Sequence, residues 1–311
     1  MLKHWAGMLG GHSYWHRPQK LGRLFSPGQL SGYFSDLTGK ADWPGESDQQ
    51  GVPLSILAKN RCYWPTTVLQ KGLAHWDLWL ESARSSSEDY KGFHAAADWA
   101  LDHQDENGGW AHPVPLHPRA LSEYSCMSQG QASSLLVRVF AETQDVRYLQ
   151  AARRAINAML TPKTAGGTAA YKGEDLILEE YPADAENTVL NGWIFAIFGL
   201  YDYQLAAKDN DVSIALDAAM RGLTSHLPQF DCGYWSLYDL EGTIAGPFYQ
   251  SLHITQLGAL SLCFPQHGEV LRATRERFSR QLDSRVCLAR AVTSKAIQKL
   301  RKPPMGIQQF K

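Results

Sequence analysis

Three tyrosines and a pair of carboxylates are the groups in this chain best suited to moving protons. Glu179-Glu180-Tyr181-Pro182 sets two carboxylates and a phenol beside a proline, in a loop that feeds a strongly apolar segment. Tyr238 and Tyr249 stand in or beside a later loop. Singly, each tyrosine reads as a packing residue and the two glutamates as a solvated pair. Taken together they suit another task. A phenol ionises near pH ~10 and is a poor base in water, but a neighbouring cation lowers that value and a glutamate can accept its proton. Such a set fits proton transfer at a carbon next to a carboxylate. That carboxylate must then be neutralised, and Arg61, Arg119, His253 and Asn191 are the candidates.

Other chemistries are poorly served. His112 and His117, or His75 and His94, lack the spacing of a zinc helix, so no metal site is expected. Gly108-Gly109 and Gly166-Gly167 read as turns, not phosphate loops, and no GxSxG occurs. A glycosidase needs two opposed carboxylates. Glu179 and Glu180 are adjacent and face opposite ways in extended chain, so Asp98 or Asp239 would have to supply the partner.

Helices must position these groups. Apolar periodicity predicts helices over 68–80, 93–103, 129–140, 146–160, 189–205, 212–227, 249–263, 269–282 and 285–301. Thr188 is the expected N-cap of the fifth, and Asn107-Gly108-Gly109 the expected stop of the second. Apolar helices alternate with amphipathic ones, and Gln70, Gly130, Asn191 and His253 mark a period of about 60 residues. The fold class is therefore all-α: an (α/α) toroid of about four antiparallel pairs, apolar helices inside, with the last helix closing or bracing it. Residues 1–50 form an N-terminal hairpin or arm packed on a main domain of 51–311. Every long loop then reaches one rim, at the N-termini of the inner helices, where the tyrosines gather.

The net charge of −1 argues against a nucleic-acid partner. Five dispersed cysteines read as reduced thiols. The amino terminus lacks a long apolar stretch, so neither signal peptide nor membrane span is expected and the default location is cytoplasmic. Ten Trp, thirteen Tyr and eleven Phe suit a core, and also a groove that stacks sugar faces.

From about Gly51 onward the chain resembles the C-terminal helical domain of D-glucuronyl C5-epimerases, the enzymes of heparan sulfate and heparin synthesis. The resemblance is carried, in order, by Gly51-Val52-Pro53-Leu54-Ser55, Asp98-Trp99 with Asn107-Gly108-Gly109-Trp110, and Met127-Ser128-Gln129-Gly130-Gln131-Ala132. It continues in Glu179-Glu180-Tyr181-Pro182 with Val189-Leu190-Asn191-Gly192 and Gly199-Leu200-Tyr201-Asp202, in Leu237-Tyr238-Asp239-Leu240, and in Leu252-His253-Ile254-Thr255-Gln256-Leu257. Animal members carry a membrane anchor and a β-rich domain between the first two helices; here that place holds only 82–90. Their arginine near the second tyrosine is Glu241 or Gly242 here, so no carboxylate clamp carries over to it.

The resemblance implies reversible removal of the C5 proton of a glucuronate residue and its return from the other face, giving iduronate without a cofactor. It implies Glu180, Tyr181, Tyr238 and Tyr249 as catalytic residues, with Tyr181 and Tyr238 as the two proton carriers. Gln129, Asn191, His253, Arg61, Glu179 and Trp110 would bind substrate. The partner is an anionic glucuronate-containing polysaccharide, heparosan-like, and the family is dimeric. A polysaccharide lyase takes the same proton and then expels the 4-oxygen; a non-catalytic glycan-binding toroid would need aromatics but not Glu180.

Overall fold

A computed structural model describes residues 13–184 and 188–301. Helix dominates, in nine α-helices among the described residues: α1 (Pro65–Glu81), α2 (Ser87–His103), α3 (Cys126–Thr143), α4 (Val146–Leu160), α5 (Leu190–Ala207), α6 (Asn210–His226), α7 (Pro247–Cys263), α8 (Gly268–Asp283) and α9 (Arg285–Arg301). Among the described residues strand is confined to two antiparallel hairpins, β1 (Ser55–Leu57) with β2 (Asn60–Cys62) and β3 (Ala169–Lys172) with β4 (Asp175–Leu178). No helix of the described residues is long and apolar enough to cross a membrane.

Helices pack in consecutive pairs, α1 on α2, α3 on α4, α5 on α6 and α7 on α8. The first members of the pairs form a row, α1 on α3, α3 on α5, α5 on α7. Glycine sets the closest approach in that row: a Cβ on Gly199 would lie 2.4 Å from the backbone of Gly130. Inner helix α5 is buried all round from Leu190 to Leu200, as its apolar run requires; outer ones such as α4 bury one stripe, Tyr148, Ala151, Ala152, Ala155, Ile156 and Met159.

The segment before α1 spans both ends of the row. It turns back on itself, with Gly22 N–H bonded to Phe34 O and Gly32 N–H to Leu24 O, both at 3.0 Å. Tyr33 N–H reaches the Asp77 carboxylate of α1 at 2.8 Å, and the Phe34 ring stacks on Phe198 of α5 with centroids 3.9 Å apart. At the other end, the Thr255 hydroxyl of α7 donates to Gln19 O at 3.0 Å.

Three local expectations change. Helix α5 is capped at Val189, not Thr188, and no side chain caps it; its Leu190 N–H bonds the Tyr238 carbonyl at 3.1 Å, so a distant loop replaces the local cap. Helix α2 ends at His103, and Gly108, with φ +87°, closes a separate turn in which its N–H meets Asp105 O. It also starts six residues before Phe93, because Ser86 accepts the Asp89 N–H and caps it.

Candidate functional site

A pocket of about 150 Å³ opens where the inner helices begin. Trp64, Thr66 and Gln70 come from the start of α1, Ser125 and Met127 from that of α3, Asn191 and Phe195 from α5, and Phe248, Tyr249 and Leu252 from α7. The loops add His112, Leu116, Glu180 and Tyr181, and the N-terminal segment adds Trp15 and Gln19.

Glu180 is held by its neighbours on both sides. The β3–β4 ladder runs on through Glu179, whose N–H bonds Thr168 O at 3.0 Å and whose carbonyl accepts the Cys126 N–H at the start of α3. Hairpin strand β4 is seated on α6, where a Cβ on Gly222 would meet Leu176 O at 2.7 Å. Alternation along extended chain then sends the two glutamates to opposite sides. Glu179 pairs with Lys163 at 2.7 Å, away from the pocket, while Glu180 enters it. The Glu180 carboxyl lies directly over Gly192 in the first turn of α5, where a Cβ would come within 2.2 Å of Oε2. That oxygen is buried without a partner among the described residues. Burial pushes the acid up to about 7, with the Tyr181 hydroxyl pulling the other way.

Tyr181 follows at once, its loop fixed by Leu121 N–H on Pro182 O. Tyr238 arrives from a folded-back loop between α6 and α7. Its N–H bonds Thr243 O at 2.7 Å, and the preceding Ser236 is anchored by Gln250 through its N–H and by His253 Nδ1 through its hydroxyl, at 2.8 and 2.9 Å. The hydroxyls of Tyr181 and Tyr238 lie 3.1 Å apart, and the Tyr249 ring meets that of Tyr238 edge-on at 4.7 Å. Burial, and next the nearby Glu180, raise all three phenols above their ordinary value, so each is neutral at pH 7.

Glu180, Tyr181, Tyr238, Tyr249 and Asn191 thus come together, with the Asn191 Oδ1 buried and unpartnered among the described residues. The other sequence candidates lie elsewhere. Arg61 is an exposed residue of β2 paired with Glu46 at 2.6 Å. Trp110 is buried and donates to Ala100 O. His253 sits behind the Tyr238 loop, against Phe278, with burial lowering its pKa to about 3. Gln129 is fully buried on α3 outside the pocket lining. Arg119 is an exposed partner of Asp184.

Several pocket residues carry no mark in the sequence. His112, considered above only as a metal ligand, meets Ser128 Oγ at 3.2 Å and packs on Trp64 with centroids 4.9 Å apart; burial holds it near 4, hence neutral. Trp15 and Gln19 come from a segment without periodicity, where aromatic density was the available signal. No group of three potential metal ligands occurs among the described residues.

This arrangement can hold a sugar ring against indoles and pass protons among a carboxyl and three phenols. The family model for the D-glucuronyl C5-epimerase C-terminus matches residues 104–280. A D-glucuronyl C5-epimerase of Caenorhabditis elegans is 29% identical over 214 residues, 60% of this chain and 34% of that protein. An uncharacterized protein of Methanocaldococcus jannaschii is 29% identical over 147 residues, 46% of this chain and 48% of that one. The matches therefore span a third to a half of these relatives' length.

Proposed function

The chain belongs to the D-glucuronyl C5-epimerase C-terminus family, and from that premise we propose that it inverts C5 of glucuronate residues in a heparosan-like polysaccharide, giving iduronate. What carries the reading is the gathering of three neutral phenols, Tyr181, Tyr238 and Tyr249, around a buried carboxyl raised to about 7. Inversion needs two proton carriers, one for each face of the carbon. A neutral phenol readily gives a proton to a developing carbanion, but it can take one only as its own proton leaves. Glu180, partly ionised near neutral pH, is the acceptor for that proton.

In this mechanism one of Tyr181 and Tyr238 receives the C5 proton while its own passes to Glu180. The electron pair left at C5 spreads into the adjacent carboxylate, to which Asn191, the one of the four neutralising candidates that lines the pocket, donates from its side-chain amide. The other tyrosine, parted from the first by the sugar carbon, protonates C5 from the opposite face; once the product leaves, the Tyr181–Tyr238 hydrogen bond re-forms and relays the proton held by Glu180 back to it, which restores Glu180. Tyr249 keeps Tyr238 in place edge-on and presents a third hydroxyl to the sugar. Trp15 and Trp64 offer the apolar faces that sugar rings stack on. On the same reading, the row of helix pairs is an (α/α) toroid whose ends the N-terminal segment bridges.

Proton NMR tests this directly, with unsulfated and N-sulfated heparosan in deuterated water. Deuterium at C5 with new iduronate signals is the expected result. Unsaturated uronate ends would mean a lyase, and no exchange on either polymer would overturn the proposal. Tyr181→Phe should cut exchange by about 100-fold or more while costing about 1–3 kcal/mol of stability, since the buried Tyr238 hydroxyl and Glu180 carboxyl both lose it as a partner.

A further inference from the structure

Tyr238 stands on a loop held from both edges. The chain doubles back at Leu237 and Ile244, with Tyr238 N–H on Thr243 O at 2.7 Å and Ala245 N–H on Ser236 O at 3.0 Å. The inner edge meets the start of α5, through Leu190 N–H on Tyr238 O and Leu240 N–H on Thr188 O. The N–H and carbonyl of Ile244 and the carbonyl of Gly242 are left for the outer edge. A strand edge of this kind needs partners.

Those partners come from α9. Gln298 uses both ends of its amide: Oε1 accepts the Ile244 N–H at 2.9 Å, and Nε2 donates to Gly242 O at 2.8 Å. Lys295 Nζ donates to Ile244 O. Ala291 is buried against Trp235, Ile244 and Ala245, and Tyr238 and Tyr249 pack on the same cluster. The Tyr234 hydroxyl donates to Ser294 Oγ at 3.1 Å, and the Arg290 guanidinium lies 3.9 Å from the Tyr234 ring centroid. Ala291, Ser294, Lys295 and Gln298 recur at three- and four-residue spacing, so one face of α9 covers the loop.

Helix α9 begins beyond the matched residues 104–280, so the family match does not supply this brace. Holding the loop has a use here. The Tyr181 and Tyr238 hydroxyls lie 3.1 Å apart and part when the sugar carbon comes between them. The Tyr238 side chain then moves while its backbone must stay, since a misplacement of about 1 Å can cost on the order of 100-fold in rate.

We propose that α9 clamps the catalytic loop, with Gln298 and Lys295 as positioning residues that fix the backbone of Tyr238 and so set where its hydroxyl meets C5. The effect on rate rests on the epimerase reading above; the clamp itself rests on the bonds.

The test uses the full chain with Gln298→Met and Lys295→Met, which keep side-chain length and remove the bonds. Deuterium exchange at C5 of unsulfated heparosan gives kcat and KM, and native-state hydrogen exchange reads the Tyr238 and Ala245 amides. Each variant should lower kcat about tenfold or more with KM unchanged. Each should also speed exchange of those two amides while leaving the α3 amides as they were. Lys295→Arg keeps a donor and should restore most of the rate. A lower melting temperature with unchanged kcat would mark a helix that only adds stability, and would overturn the proposal. So would a raised KM at unchanged kcat, or Tyr238 and Ala245 amides no faster than in the parent. A parent without C5 exchange would remove the proposed reaction, and faster Tyr238 and Ala245 amides in the variants would still leave the clamp standing.

Discussion

Glu180 couples chemistry to stability through one oxygen. Its folded pKa is raised from 4.5 to about 7 by burial, so the folded state favours the protonated acid. The stability tied to that form is fully present below pH 4.5 and is lost as pH rises to about 7. Glu180→Gln keeps the shape and removes the titration. The variant should match the parent near pH 4 and exceed it at pH 8 by on the order of 3 kcal/mol, while C5 exchange falls at least about 100-fold. Thermal melts at the two pH values check the first part; equal melting curves at pH 8 would mean that the carboxyl titrates normally. The residue types were readable in advance, because a phenol next to two carboxylates is visible in sequence. The residues by themselves leave open which glutamate faces inward, since that depends on the Lys163 partner and the hairpin register; only the family resemblance singles out Glu180.

At the scale of the element, the first turns of four inner helices do the positioning. In α5 the requirement is steric: Gly192 leaves the room that the Glu180 carboxyl occupies. Gly192→Ala should cost about 1–3 kcal/mol by overpacking and lower activity far more than stability, because the carboxyl must move. A variant with normal exchange and normal stability would show that the carboxyl has space elsewhere. The helices themselves were legible because burial on one or both sides imposes the 3.6-residue period that α4 and α6 display. Their caps were less so. Thr188 has the right side chain for a cap, yet a backbone carbonyl 48 positions onward, Tyr238 O, meets the Leu190 N–H instead. Local propensity describes local partners, and here the partner is tertiary.

Over the whole molecule, one side of the pocket's wall is made far from Glu180 in sequence. Trp15 and Gln19 reach the pocket from a stretch whose contacts run to α1, α3, α5 and α7. Such contacts leave no periodic trace, which is why this wall was not legible. The bond between Thr255 and Gln19 joins residues 236 positions apart. Closing so long a loop adds little to the thermodynamic cost, about 0.6 kcal/mol per doubling of length, but non-local pairing is slow. Order of assembly follows. Amides of α3 and α5 should gain protection early in refolding, and those of Gly22, Gly32 and Tyr33 late, together with recovery of glycan binding. Pulsed hydrogen exchange reads this, and simultaneous protection would contradict it. On the ribosome, the residues made early in this sequence wait for those made late: a nascent chain carries a helical scaffold with an open wall until its last inner helix has been synthesised.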